Sequence, residues 1–278
     1  VAIVEDKFDI ILEAGRSNKN YWQDIYRYRE LFFFLAWRDI LVRYKQTVIG
    51  IAWSVLRPFL TMLVFTIVFG KLAKLPSNGV PYPIMVFAAL LPWQFFANSL
   101  TESSNSLIDN ANLLSKVYFP RLIVPAGSVI VCLIDFLISA VILGLLLLWY
   151  RFLPDVKLLL LPLFLLLALT ASFGAGLWLS ALNVKYRDFR HVVPFLVQFG
   201  LFISPVGFTS SIVPESWRFI YFLNPMVGVI DGFRWAILGD AFPVYWPGLL
   251  LSAFLTLLLF VTGLLYFRRM ERSFADVV

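Results

Sequence analysis

The run IVPAGSVIVCLIDFLISAVILGLLLLWY, residues 123–150, carries a single charged side chain, Asp135. An α-helix rises ~1.5 Å per residue and the hydrocarbon of a bilayer is ~30 Å thick, so about 20 apolar residues suffice to cross it. Comparable runs recur at 50–69, 83–100, 158–182 and 248–267, with a shorter one at 192–206. One soluble core cannot hide that much surface. The whole chain is 60% hydrophobic and 14% charged, against roughly 45–50% and about 25% in soluble domains. The pattern therefore predicts an all-α integral membrane protein with six transmembrane helices.

The segments between the runs refine this expectation. Residues 21–46, YWQDIYRYRELFFFLAWRDILVRYKQ, mix aromatics with arginines, and their uninterrupted apolar stretch is only about seven residues. That is too short to span and suits a helix lying at the interface. Residues 1–20 carry charges of both signs without an apolar core, and so are read as something other than a cleaved signal peptide. Between the second and third runs, the Ser- and Asn-rich stretch TESSNSLIDNANLLSKVYFPRLIVP is too polar for lipid and is read as a docking helix. Before the last run, Pro214, Pro225 and Pro243 divide residues 207–247 into short apolar pieces. These are expected to be re-entrant or surface-lying half-helices whose free backbone groups are satisfied by protein or a wet cavity.

Charge sets the orientation. Eight Lys and Arg precede residue 47, and further groups lie in the docking stretch, in NVKYRDFRH (183–191) and in the tail. The opposite loops hold only pairs: Lys71 and Lys74, Arg151 and Lys157, Arg218 and Arg234. The positive-inside rule then places both termini in the cytoplasm. The expected organisation is one permease domain over 1–278: an interfacial N-terminal segment (1–46), a six-helix bundle (50–267) and a cytoplasmic tail (268–278). The net charge of +6 is spent on topology, not on one exposed basic face, so no nucleic-acid partner is expected.

Chemistry is sparse. The lone Cys132 excludes an intrachain disulfide, and no P-loop pattern GxxxxGK[ST] occurs, since Gly70-Lys71 is followed by Leu. The single His191, beside Arg190 in a basic loop, reads as an interfacial residue rather than a base. No catalytic, cofactor-binding or metal-ligating residues are assigned. Arg57, near the cytoplasmic end of the first run, can snorkel to the headgroups. A charge at the depth of Asp135 costs at least ~2.5 kcal/mol on insertion scales, which raises a proton relay. The alternative is a carboxyl hydrogen-bonded to a neighbouring helix or wet cavity, and no second ionisable partner is evident for a relay. Two aromatic stripes also stand out. Phe195, Phe199 and Phe202 share one helix face, as do Met62, Phe65 and Phe69. Rings on a shared face either pack in the bundle or face lipid, or offer flat surfaces on which sugars stack.

The stretch LLPWQFFANSLTESSNSLIDNANLLSKVYFPRLIVP (90–125), together with NVKYRDFRH and FLNPMVGVIDGFR (222–234), resembles the type-2 ABC exporter permeases that move O-antigen, capsular polysaccharide and teichoic acid precursors. The resemblance covers nearly the whole chain. It implies a homodimer in the bacterial cytoplasmic (inner) membrane, paired with two copies of a separate ATP-binding cassette subunit. That subunit would hold the ATP and Mg, leaving this chain without a cofactor. Lipid-linked polysaccharide, most of all O-antigen, would be the cargo. The coupling element would be residues 105–116, with Asn105, Ser106, Leu107, Ile108 and Asp109 leading into Asn110, Asn112, Leu113 and Lys116. The first and fifth spans would line the channel, making the two stripes its candidate lining. A membrane glycosyltransferase or acyltransferase would need a cluster of acids or a DxD-like pair, which is missing. A secondary transporter would show broken helices in both halves, and here they occur once. A small-molecule exporter of the same fold remains the alternative within the family.

Overall fold

The computed structural model describes residues 21–45, 48–186, 188–271 and 274. The 1–20 segment, Arg187 and most of the tail beyond Glu271 lie outside the described residues, and with them the signal-peptide and tail expectations. Eleven α-helices and no strand occur among the described residues. The chain is an all-α membrane protein, with five helices long and apolar enough to cross a bilayer.

Two helices, α1 (Tyr21–Arg27) and α2 (Arg29–Lys45), come first and are nearly continuous, because the Tyr28 and Phe32 amides bond back to Asp24 and Tyr28. Neither is long and apolar enough to span, in line with the sequence reading. α3 (Val48–Phe65) continues into a π-helical turn, Thr66–Leu72. The loop that follows reverses through Asn78 and Gly79, both at positive φ. α4 (Tyr82–Asp109) is the central post of the bundle and most of its length is buried. α5 (Ala111–Leu114) is a single turn, and α6 (Ile123–Trp149) and α7 (Leu161–Lys185) are the third and fourth long helices.

One boundary differs from expectation. The second run does not stop at residue 100 to begin a separate docking helix; α4 carries on to Asp109. Several of its polar residues find partners within the protein, in two ways. Thr101, Ser104 and Ser106 return their hydroxyls to carbonyls three or four residues back. Ser103 and Ser104 are buried, and Asn183 of α7 donates to the Ser104 carbonyl at 2.9 Å. Small hydroxyl residues let two membrane helices approach closely, and that contact outweighs the polarity of the stretch.

The last third is α8 (Phe189–Ile203), the short α9 (Glu215–Tyr221), α10 (Pro225–Leu238) and α11 (Trp246–Met270). Gly239, at φ 70°, ends α10. α10 is almost wholly buried among α4, α7 and α11. A second, smaller core gathers Leu107, Leu114, Phe119 and Leu122 with Tyr21 and Leu35 from the first helices, Phe267 from the last helix and Phe274 beyond it. Arg121 seals it, its amide donating to the Glu271 carboxylate at 2.8 Å and its guanidinium to the Glu271 carbonyl at 2.6 Å. Burial raises the Glu271 carboxyl above its ordinary range, opposed by that amide.

Candidate functional site

The α8 stripe is open. Phe195, Phe199 and Phe202 are 63%, 53% and 60% exposed, and the Phe195 and Phe199 rings stack at 5.7 Å with an interplanar angle of 8°. The other side of α8 is fixed: Val193 is fully buried, and a Cβ on Gly200 would lie 2.6 Å from the Trp93 indole of α4. Glycine there lets the indole seat against the helix and turns the rings outward. The result is an apolar ledge; on α3, Leu60, Leu63 and Val64 are exposed as well.

The α3 stripe behaves differently. Met62 and Phe65 are buried and Phe69 is half-buried. The Phe65 and Phe69 rings close over Gly207, where a Cβ would meet them at 2.6–2.7 Å. This is a correction: the stripe expected to line a channel packs in the protomer core. Periodicity could not say which of the apolar positions of α3 turn inward, because their partner, the turn after Ser204-Pro205, lies far away in sequence.

Four carbonyls in and beside that turn accept from side chains. The Ile203 carbonyl accepts from the Tyr221 hydroxyl at 2.8 Å, Gly207 from the Tyr82 hydroxyl at 2.5 Å, and Val206 and Phe208 from the two terminal nitrogens of Arg234 at 2.8 and 2.7 Å. Arg234 Nε completes the fork on the Met85 carbonyl of α4 at 3.3 Å. Asn224 caps α10 by accepting from the Met226 amide and donates to Ser204 Oγ at 2.9 Å. Non-helical backbone inside a membrane protein persists only where such partners exist. Sequence reading counted Arg234 among loop charges; it is 1% exposed, and only its place within FLNPMVGVIDGFR hinted otherwise.

The expected coupling residues divide by burial. Ser106 and Leu107 are buried, Asn105, Ile108, Asn110 and Leu113 are half-buried, and Asp109, Asn112 and Lys116 are exposed. The open tip runs on through Val117 and Tyr118, each 49% exposed, which the sequence reading did not single out. Asn183 Nδ2, from NVKYRDFRH, lies 3.3 Å from Asn105 Oδ1, so two of the motifs meet. His191 is exposed at the start of α8.

Asp135 has partners that the sequence did not reveal. Arg43 Nη2 lies 2.7 Å from Asp135 Oδ2, Arg43 Nη1 lies 3.5 Å from Glu102, and the Tyr44 hydroxyl donates to Asp135 Oδ1. The carboxyl is thus hydrogen-bonded to a neighbouring helix, α2, as the simpler reading expected. Burial works against the Arg43 charge, but Asp135 together with Glu102 and the other neighbouring groups outweighs it and holds the guanidinium above its ordinary value. Burial and then the bond to Asp135 push the Tyr44 phenol up. Among the described residues no group of His, Cys, Asp and Glu is placed to hold a metal ion.

A family profile described as ABC-2 type transporter matches residues 30–238. The chain is 30% identical over 258 residues to the O-antigen export system permease protein of Myxococcus xanthus, with 92% of this chain and 98% of the relative covered. It is 27% identical over 250 residues to the protein of the same description in Klebsiella pneumoniae, covering 90% and 95%. With the polysialic acid transport protein of Escherichia coli it shares 25% over 206 residues, covering 72% and 78%.

Proposed function

The chain belongs to the ABC-2 type transporter family, and on that premise we propose that it is the permease subunit of an ATP-driven exporter of lipid-linked polysaccharide, with O-antigen as cargo. The observation that carries this reading is the near end-to-end similarity to O-antigen export permeases. In this reading two copies form the channel in the bacterial cytoplasmic membrane, and two copies of a separate ATP-binding cassette subunit dock on the tip formed by 109–118. ATP and Mg bind those subunits. Both termini face the cytoplasm.

α8 is the fifth crossing in chain order and, with the five long helices, makes six. Its 15 residues reach about 22 Å at ~1.5 Å per residue, short of the hydrocarbon thickness. The turn at 204–208 therefore lies within the membrane, and α9 and α10 return as re-entrant half-helices, which the satisfied carbonyls permit. A hydroxyl-rich glycan cannot cross hydrocarbon unaided, whereas its lipid anchor can stay in it. The α8 rings offer such a glycan flat surfaces that hold no single unit tightly.

Deleting the chain from its host is expected to abolish surface glycan and to leave lipid-linked glycan inside; normal surface glycan would refute the cargo. The purified chain is expected to hydrolyse no ATP until the partner subunit is added, and hydrolysis by the chain alone would contradict the division of labour. The two aromatic stripes separate by experiment. Phe199→Ala is expected to lower export about tenfold with stability within ~0.5 kcal/mol of the parent, as for an exposed position. Phe65→Ala is expected to lose about 3–5 kcal/mol of stability as a core truncation. Thermal unfolding in detergent, paired with surface-glycan staining, reads both.

A further inference from the structure

One face of α4 changes character halfway along the helix. Phe87 and Leu91 are buried on it, and the next positions of the same face, Gln94, Asn98, Thr101 and Asn105, are all half-buried. Spaced at i, i+4, i+7 and i+11, these four form one stripe. It covers about 16 Å of helix at ~1.5 Å per residue and starts near the middle of α4. Two contacts mark its ends. Trp93, beside Gln94, seats against Gly200 of α8, and Asn105 Oδ1 lies 3.3 Å from Asn183 Nδ2 of α7, at the approach to the coupling tip.

The protomer does not satisfy this stripe. Thr101 returns its hydroxyl to the Ala97 carbonyl and Asn183 occupies one acceptor of Asn105, but the Gln94 and Asn98 side chains have no hydrogen bond among the described residues. An amide without a partner is costly in hydrocarbon, and neither side chain is long enough to reach the headgroups from the middle of a span. Their face therefore opens on water or on polar groups from outside the protomer. All four side chains are uncharged, and each amide or hydroxyl both donates and accepts. Such a row, with about one group per turn, matches a molecule that presents hydroxyl after hydroxyl and is held weakly at each.

We propose that Gln94, Asn98, Thr101 and Asn105 form a hydroxyl-binding track for the sugar chain of the cargo, leading from the coupling tip to the crossing of α4 and α8. α4 thereby complements the α8 ledge: rings take the flat faces of the sugars, and amides take their hydroxyl edges. The track rests on the polysaccharide-permease reading above and adds a contact surface that the reading does not contain.

The first test uses the complex of this chain with its ATP-binding subunit, reconstituted in lipid with the lipid-linked glycan of the host. Gln94→Met together with Asn98→Leu keeps the volume and removes both amides. Export is expected to fall about tenfold, the weight of one or two lost hydrogen bonds, with ATP hydrolysis within about twofold of the parent. The unfolding midpoint in detergent is expected to equal or exceed that of the parent, because no bond within the protein is lost. The exchange Gln94→Asn with Asn98→Gln retains both amides and is expected to keep most of the export. Undiminished export in the Met/Leu variant overturns the track, as does a lowered midpoint, which would make the amides structural and bonded to a second copy.

The second test reads access without export and decides alone if the Met/Leu variant is not recovered folded. On a Cys132→Ala background, Gln94→Cys and Asn98→Cys are treated in lipid with a charged methanethiosulfonate reagent. Leu145→Cys, on the exposed apolar face of α6, is the lipid-facing control. The two α4 cysteines are expected to react and the control to stay inert, and lipid-linked glycan is expected to slow the α4 reaction where the bare lipid does not. Unreactive α4 cysteines, or rates that ignore the glycan, overturn the track. A parent complex that exports no glycan refutes the cargo and the track together, whereas a parent that exports no better than the Met/Leu variant, yet exports, refutes the track alone.

Discussion

Arg234→Met is expected to be the most damaging single substitution in the chain. Methionine keeps most of the volume but none of the donors, so the carbonyls of Val206 and Phe208 lose their partner together, and the Met85 carbonyl, which as part of α4 also has its helical amide, loses a second donor. A buried carbonyl left unpaired costs about 1–3 kcal/mol, so the loss is expected to be on the order of 3–5 kcal/mol once the relieved burial of the guanidinium is set against it. Arg234→Lys should recover less than half, because one ammonium cannot span a fork that reaches two segments of the chain. Tryptophan fluorescence during thermal unfolding in detergent reads the result. An unfolding midpoint like that of the parent would show that water or another donor satisfies the turn.

Gly263→Leu is expected to separate α7 from α11. A Cβ on Gly263 would lie 2.3 Å from the Gly174 carbonyl oxygen, and one on Gly174 2.5 Å from Phe260 Cα. Both obstacles are backbone and cannot rotate away. The helices must move apart, and overpacking of this kind costs about 1–3 kcal/mol or more. Since α7 and α11 form one of the principal contacts of the bundle, folded yield should fall sharply. Gly144→Leu on α6 is the control: nothing lies within 4 Å of a Cβ there, and stability should be unchanged. Equal losses for the two glycines would refute the packing explanation.

These two sites illustrate how unevenly the molecule could be read in advance. The long helices were visible because an apolar run of bilayer length has only one comfortable backbone in lipid. The α8 stripe was visible because a short helix with rings at i, i+4 and i+7 has an unambiguous face. The coupling assignment of residues 105–116 rests on resemblance, and the sequence did not show which of these residues stay exposed. Met62 and Phe65 were misassigned because the turn at Val206 and Gly207, which shares their core, lies far along the chain. Arg234 was taken for a loop charge because the prolines around it break the hydropathy pattern whether the segment lies outside the bundle or inside it. Asp135 seemed to lack a partner because Arg43 and Tyr44 stand about ninety residues earlier, on a helix that the sequence placed at the interface.

Sequence alone therefore determined the solvent, the helical class and the approximate crossings, because these depend on the local free energy of transferring side chains and backbone into hydrocarbon. Only the tertiary structure decided which apolar faces turn inward and which buried charges are paired. Those outcomes depend on contacts between segments far apart in the chain, where one donor fork or one missing Cβ selects a single arrangement among many of equal hydropathy.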